Sequence, residues 1–206
     1  EVMEEIVQAL EIGKGELIGV ACEKPLGRNV SEAKKMLQLA QAANLLDGYL
    51  ENQVFAPAVT RGKEIIWARG ASTTGPPYLA RAAEEHSGPH MPWFWEGELQ
   101  GGGVLNDMMC HSVEEARFML TPPGVSRDVL TPVSVNAYAA CLKWQQPKYA
   151  KILSEKSGGT TDYLNKPAED FARSLVEYED EDRNKLVVET TTSWCFVGAG
   201  LRLSLE

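Results

Sequence analysis

Three side chains in this sequence are suited to moving a proton beside a reacting carbon. Lys24 stands in Cys22-Glu23-Lys24-Pro25-Leu26, directly after an apolar run that reads as a buried parallel strand. Ligand crevices of open α/β sheets lie at the carboxyl ends of such strands. A lysine there can donate to a ribose or substrate hydroxyl and favour an alkoxide. A surface lysine in a turn, with Pro25 merely ending the strand, fits the same residues. Asp107 and His111 follow Gly101-Gly102-Gly103 and are four residues apart. On a helix that spacing puts them side by side, with Cβ atoms about 5 to 6 Å apart. Histidine titrates near neutrality, so His111 could take the proton of a hydroxyl as hydride leaves the same carbon, while Asp107 orients it or holds a neighbouring hydroxyl. An exposed pair that only supports its helix is the alternative. The glycine triplet favours function, because close backbone approach is its usual use.

A loop of His86, His90, Trp93, Phe94 and Trp95 could offer a sugar ring an aromatic platform and polar contacts. Aromatics that pack a long loop onto its domain explain it equally well. The loop histidines lack a regular ligand spacing, so no metal site is expected. Gly13-Lys14-Gly15 precedes a strand and Gly198-Ala199-Gly200 lies between strands. A dinucleotide fingerprint must instead follow a strand and open a helix, so both are read as turns.

The elements that would position these groups alternate at first. Val2, Ile6, Val7 and Leu10 fall at helical spacing up to Gly13, and Leu17 to Cys22 reads as a strand. Ser31 is placed as the cap of a second helix, followed by a strand over Gly48 to Phe55 and a third helix from Pro57 to about Arg69. Helix and strand in turn imply a parallel α/β sheet. The texture then changes. Tyr78 to Ala83 is expected as a strand, Val104 to Leu120 as a helix, and Val133 to Trp144, Phe171 to Tyr178, Leu186 to Phe196 and Leu201 to Leu205 as strands. On the helix, Leu105, Met109, Ala116 and Leu120 form an apolar stripe, and Asp107 and His111 are expected to face a cleft or solvent. The fold class is therefore α/β plus α+β: the end of a parallel sheet, then a mostly antiparallel open sheet with helices on one face.

Composition sets the outer bounds. The 206 residues are 44% hydrophobic and 24% charged, with no run near the roughly 20 apolar residues that span a bilayer. Twenty basic against 29 acidic residues give a net charge of −9, with acids clustered from Glu177 to Asp182, so neither a membrane nor nucleic acid is an expected partner. Cys22, Cys110, Cys141 and Cys195 are scattered, which argues against disulfides and zinc knuckles and suits a reducing cytoplasm. The sequence opens on Glu1 in a helical pattern and closes within a strand-like alternation, and is read as an internal piece of a longer protein.

Taken together, the Glu23-Lys24-Pro25 run, the Gly101 to His111 run about eighty residues later, Glu51 to Pro57 and Thr192 to Gly198 resemble the Gfo/Idh/MocA family of glucose-fructose oxidoreductases and inositol dehydrogenases. The resemblance implies residues 1–55 as the end of a Rossmann NAD(P)-binding domain and 56–206 as a substrate-binding and oligomerisation domain. It implies NAD or NADP as cofactor, approached by Glu23, Lys24 and Pro25, with Lys24, Asp107 and His111 catalytic. Asn52, His90 and Trp93 are expected at the substrate, a sugar, polyol or glycoside. A homo-oligomer through the second sheet is also implied. Met109 stands where the family often has glycine. Two other activities stay open: a sensor that binds sugar or nucleotide without turnover, and NAD-dependent glycoside cleavage.

Overall fold

The computed structural model of the chain describes residues 1–197 and the backbone of residues 199–205. The chain divides into two compact units, Glu1–Glu51 and Asn52–Glu206. Of the glycine run at residues 198–200, Gly198 lies outside the described residues.

The first unit runs α1 (Val2–Glu11), β1 (Gly19–Glu23), α2 (Val30–Ala42) and β2 (Leu46–Leu50). β1 and β2 pair in parallel, with Cys22 opposite Tyr49 and Glu23 opposite Leu50. Met3 from α1 and Ala40 from α2 meet Leu45 in a small core that Val20 and Met36 flank. α2 starts earlier than Ser31 would allow. Its cap is Asn29, whose side-chain oxygen accepts from the Glu32 N–H at 3.0 Å. Asn and Ser serve this position about equally well, so the sequence alone could not choose between them. β2 ends at Leu50, and the expected strand beyond it is replaced by a 3₁₀ turn over Gln53–Phe55.

The second unit continues with α3 (Pro57–Ile65), a π turn at Ile66–Gly70, α4 (Ala71–Thr74), β3 (Leu79–His86) and α5 (Gly97–Gln100). A second π turn, Leu105–Met109, leads into α6 (Cys110–Leu120). After it come β4 (Thr131–Ala140), α7 (Pro147–Lys156), β5 (Phe171–Glu179), β6 (Lys185–Ser193) and β7 (Ala199–Leu205). The five strands form one sheet in the order β4-β5-β6-β3-β7. β3 and β6 are parallel and the other neighbours antiparallel, so the expected mostly antiparallel open sheet is what forms.

Period-two burial on β5 and β6 decides which face is covered. Ala80 and Ala82 of β3 lie beside Val188 of β6 and Val176 of β5, and Ala116 and Leu120 of α6 pack onto them. Small residues on both sides let the helix lie close to the strands. On the opposite face Glu189 bridges Arg81 and Arg173 across three strands. The far end of α6 is held by α3, where the Lys63 ammonium donates to the Phe118 carbonyl at 2.7 Å and lies 3.7 Å over its ring. The indole N–H of Trp67, in the following π turn, donates to the Met119 carbonyl at 2.9 Å. These contacts satisfy carbonyls that a helix terminus leaves without partners.

Candidate functional site

Asp107 and His111 both sit at the start of the helix that covers the sheet, and both are buried, at 6% and 5% exposure. Of the two expected settings, a cleft or solvent, they therefore do not take the solvent one. Leu105, assigned to the inward stripe, is instead 40% exposed. His111 lies beyond the π turn, at one edge of the wide buried arc of α6, whereas for Asp107 and Leu105 the cause is the π turn at Leu105–Met109. Its i→i+5 bonding winds the chain more slowly than an α-helix, so a rotation of 100° per residue carried across it loses phase. Beyond the turn, α6 buries His111, Ser112, Glu115, Ala116, Met119 and Leu120, a regular pattern of adjacent pairs.

The Asp107 carboxylate is held in place by a partner distant in sequence. Its Oδ2 accepts from the indole N–H of Trp194 at 3.2 Å, and Trp194 is fully buried. Trp194 lies just past the end of β6. Its backbone N–H donates to the Asp170 carbonyl at 2.8 Å, and its own carbonyl accepts from the Trp144 indole at 2.8 Å. Trp95 fills the space between these rings, with its centroid 5.0 Å from both Trp144 and Trp194 and 5.4 Å from Tyr163. Tilted and edge-on packing of this kind suits the aromatic quadrupole and fixes ring positions. Met109 joins this aromatic core.

The glycine triplet serves the chain's own backbone. A Cβ on Gly103 would lie 2.0 Å from the Glu169 carbonyl oxygen, so only glycine fits there. Gly101 ends α5 in the left-handed region at φ 92°. Glu169 then receives the helix start: its Oε1 accepts from Gly103 N–H at 2.8 Å and Leu105 N–H at 3.2 Å, and its carbonyl accepts from Val104 N–H at 2.9 Å. Gln100 closes the same turn. With its amide nitrogen toward the Gly102 and Gly103 carbonyls, at 2.7 and 3.2 Å, its oxygen accepts from Asp107 N–H at 3.0 Å.

The neighbouring Asp170, fully buried, accepts three backbone N–H groups: Leu142 at 2.6 Å, Lys143 at 2.9 Å and Trp144 at 2.7 Å. Burial and this carboxylate push the Cys195 thiol up to about 12, and they raise Cys141 as well. Burial, with Asp170 beside it, also drives the Tyr163 hydroxyl above its ordinary value, where it donates to the Ala168 carbonyl. Cys141 and Cys195 are therefore kept as thiols at neutral pH and are poor nucleophiles.

Lys24 belongs to the first unit and follows the last residue of β1, with a cis peptide to Pro25. Its backbone N–H donates to the Glu23 carboxylate at 2.7 Å. It stands at the carboxyl edge of the parallel pair. Asn52 heads the 3₁₀ turn that packs on α6, its carbonyl accepting from Phe55 N–H at 3.0 Å. The loop residues are split. His90 lines a cleft of about 240 Å³ with Lys156, Ser157, Trp95 and Trp144, and neither Asp107 nor His111 borders it. Trp93 is 42% exposed and stacks on Phe94 at 3.8 Å, whereas Trp95 turns into the core.

Trp194, Glu169, Asp170 and Gln100 were not singled out as site residues by sequence reasoning. Trp194 had a signal, since it falls in a stretch that carries the family resemblance. Glu169 and Asp170 have none, because their partners are remote in sequence, and Gln100, whose partners are Gly102, Gly103 and Asp107, carries no pattern that marks it as a cap.

Comparison with known proteins places this geometry. A model of the GFO/IDH/MocA C-terminal domain matches residues 70–205. Levoglucosan dehydrogenase of Pseudarthrobacter phenanthrenivorans is 29% identical over 118 residues, covering 55% of this chain and 29% of that protein. The crystal structure of GenD2 from gentamicin A biosynthesis, in complex with NAD, is 25% identical with a TM-score of 0.65, covering 98% of this chain and 48% of its own. An NAD binding oxidoreductase from Klebsiella pneumoniae gives a TM-score of 0.64 at 23% identity, covering 99% and 49%. At that identity the likeness is one of fold. The chain thus spans about half the length of these solved relatives and 29% of the curated one. The matched domain takes in all five strands of the larger sheet together with Asp107 and His111, and on that span the chain belongs to the GFO/IDH/MocA family.

Proposed function

We propose that the full-length protein is an NAD(P)-dependent oxidoreductase acting on a secondary hydroxyl of a sugar, polyol or glycoside. The observation that supports it most is the burial of Asp107 and His111 on one helix start, with the Asp107 carboxylate fixed by the Trp194 indole. Groups held this way keep their geometry without reorganising during reaction. The family's relatives include proteins named as a levoglucosan dehydrogenase and an NAD complex, which agrees with this class.

His111 takes the proton from the substrate hydroxyl at a ring nitrogen. Asp107 orients the imidazole or holds an adjacent hydroxyl. Lys24 steadies the substrate oxygen and a ribose hydroxyl, with Glu23 and Pro25 shaping the turn that presents it. The nicotinamide, when bound, accepts the hydride. The residues present fit the ribose end of such a cofactor, since a lysine ammonium at the carboxyl edge of parallel strands is where ligands of open α/β sheets bind. The first unit is then part of a Rossmann domain. Leu46, Tyr49 and Leu50, which β2 leaves exposed, are side chains that a larger parallel sheet would cover. Asn52, His90 and Trp93 remain candidate substrate contacts, and four free thiols accord with a cytoplasmic setting. No helix among the described residues is long and apolar enough to cross a membrane. The outer face of the second sheet, with Tyr138 and Leu175 exposed on adjacent strands, is the surface proposed for self-association.

The test is reduction of NAD and NADP by the full-length protein across a panel of sugars, polyols and glycosides. Turnover with one class and its loss in His111→Ala are expected. Binding of sugar or nucleotide with no turnover would instead make the protein a sensor, and aglycone release without net cofactor reduction would make it a glycoside-cleaving enzyme.

A further inference from the structure

Backbone amides at a helix start normally find a cap in the residue just before them. In this chain the positions before the Asp107 turn are glycines, which offer no side-chain oxygen. The N–H groups of Gly103, Val104 and Leu105 all go instead to Glu169, which for Gly103 is 66 residues further along the chain. Two of them share one carboxylate oxygen, and the third takes the carbonyl of the same residue. A carboxylate is also the favourable charge at the positive end of a helix.

The next residue secures the opposite side of Asp107. Asp170 receives the Trp194 N–H on its carbonyl, and Trp194 places its indole on the Asp107 carboxylate. Two successive residues at the entry to β5 thereby hold Asp107 by its backbone and by its side chain. Asp170 is fully buried and also clamps residues 142–144, so its loss would disturb the core as well. Glu169 is only half-buried, and among the described residues its side-chain bonds go to the helix start alone. It separates positioning from folding.

We infer that Glu169 is a positioning residue for the reactive pair: its carboxylate caps the π turn from across the domain and sets where Asp107 and His111 stand. The inference rests on the proposed oxidoreductase reading. In the full-length protein, Glu169→Ala is expected to lower kcat about 10- to 100-fold, the scale on which small displacements of reacting groups act. KM for the nicotinamide cofactor should stay within about twofold, because Glu169 lies outside the residues assigned to the cofactor. Glu169→Gln keeps an oxygen acceptor at the same reach and should recover most of the lost rate, short of the part that the charge contributes.

Hydrogen exchange supplies a readout that does not depend on turnover. Amides from Gly103 to Met109 should exchange faster in Glu169→Ala and close to the wild-type rate in Glu169→Gln, with the amides of β5 and β6 unchanged. Wild-type kcat in Glu169→Ala would overturn the inference, as would a Gln variant no better than Ala. Exchange in Glu169→Ala that rises equally throughout the sheet would reduce the residue to a general stabiliser and overturn it too. A wild-type protein with no turnover on any substrate would defeat the oxidoreductase reading instead, and the exchange pattern would still decide whether Glu169 holds the turn.

Discussion

The Trp194 indole N–H donates to Asp107 Oδ2 at 3.2 Å, joining residues 87 positions apart across the interface between a helix start and a strand end. Both groups are buried, so the bond is between a fixed donor and a charge shielded from water. Trp194→Phe removes the donor and keeps an aromatic ring in the core. Bonds to charged groups contribute about 1.5–3 kcal/mol, and a drop of that size should appear in urea unfolding. In the full-length protein, kcat should fall about tenfold or more as the carboxylate loses its anchor. A Phe variant with wild-type stability and wild-type kcat would show that the contact does neither job.

The fold was legible where local chemistry decides it. Alternation at period two marked β5 and β6, Pro57 marked the start of α3, and the helix ending at Leu120 was placed correctly through its stop at Pro122-Pro123. Orientation was less legible. Nothing in Leu105-Asn106-Asp107-Met108-Met109 separates a π turn from an α turn, and one wider turn is enough to carry Asp107 from outside to inside. The difference between Trp93, exposed, and Trp95, buried, arises in the same way, from a loop path set by Trp144, Tyr163 and Trp194 rather than by the loop's own residues. Glu169 and Asp170 act on amides 26 to 66 residues distant, and a long-range acceptor leaves no pattern around itself.

Asp170 offers a sharper test of the core around the site. Three backbone N–H groups converge on its two oxygens, so replacing one oxygen with an amide turns a donor toward donors. Asp170→Asn is expected to cost about 3 kcal/mol or more, since a buried polar group would be left facing the wrong partner. Chemical denaturation of the variant should show a lower midpoint with an unchanged slope. Retention of the wild-type midpoint would mean that the loop at residues 142–144 is held by other contacts.

Lys63 gives the structure a pH dependence on the alkaline side. Burial, with the Arg127 charge nearby, lowers its ammonium from 10.5 to about 8. The sign follows from linkage. Between about 8 and 10.5 the unfolded chain binds the proton and the folded chain releases it, so stability rises with pH across that window and the full cost of the buried charge is felt below it. Denaturation midpoints from neutrality upward should therefore show this rise superposed on the ordinary alkaline loss, and Lys63→Met should remove it. Identical pH profiles for wild type and variant would place the ammonium in a better-solvated setting than its contact with Phe118 indicates.

Ser112 is the residue after His111, and its side chain is fully enclosed on the sheet side of α6. Its hydroxyl has no hydrogen-bond partner among the described residues. Burying such a group without a bond is unfavourable by about 1–3 kcal/mol, whereas alanine suits both the helix and the small residues of the strands below. Loss of the Oγ atom leaves a space smaller than a methyl group, so the cavity cost is slight. Ser112→Ala is thus expected to raise the stability of the domain by about 1 kcal/mol, read as a higher urea midpoint. A destabilised variant would instead show that the hydroxyl is satisfied in the folded protein and contributes to its stability.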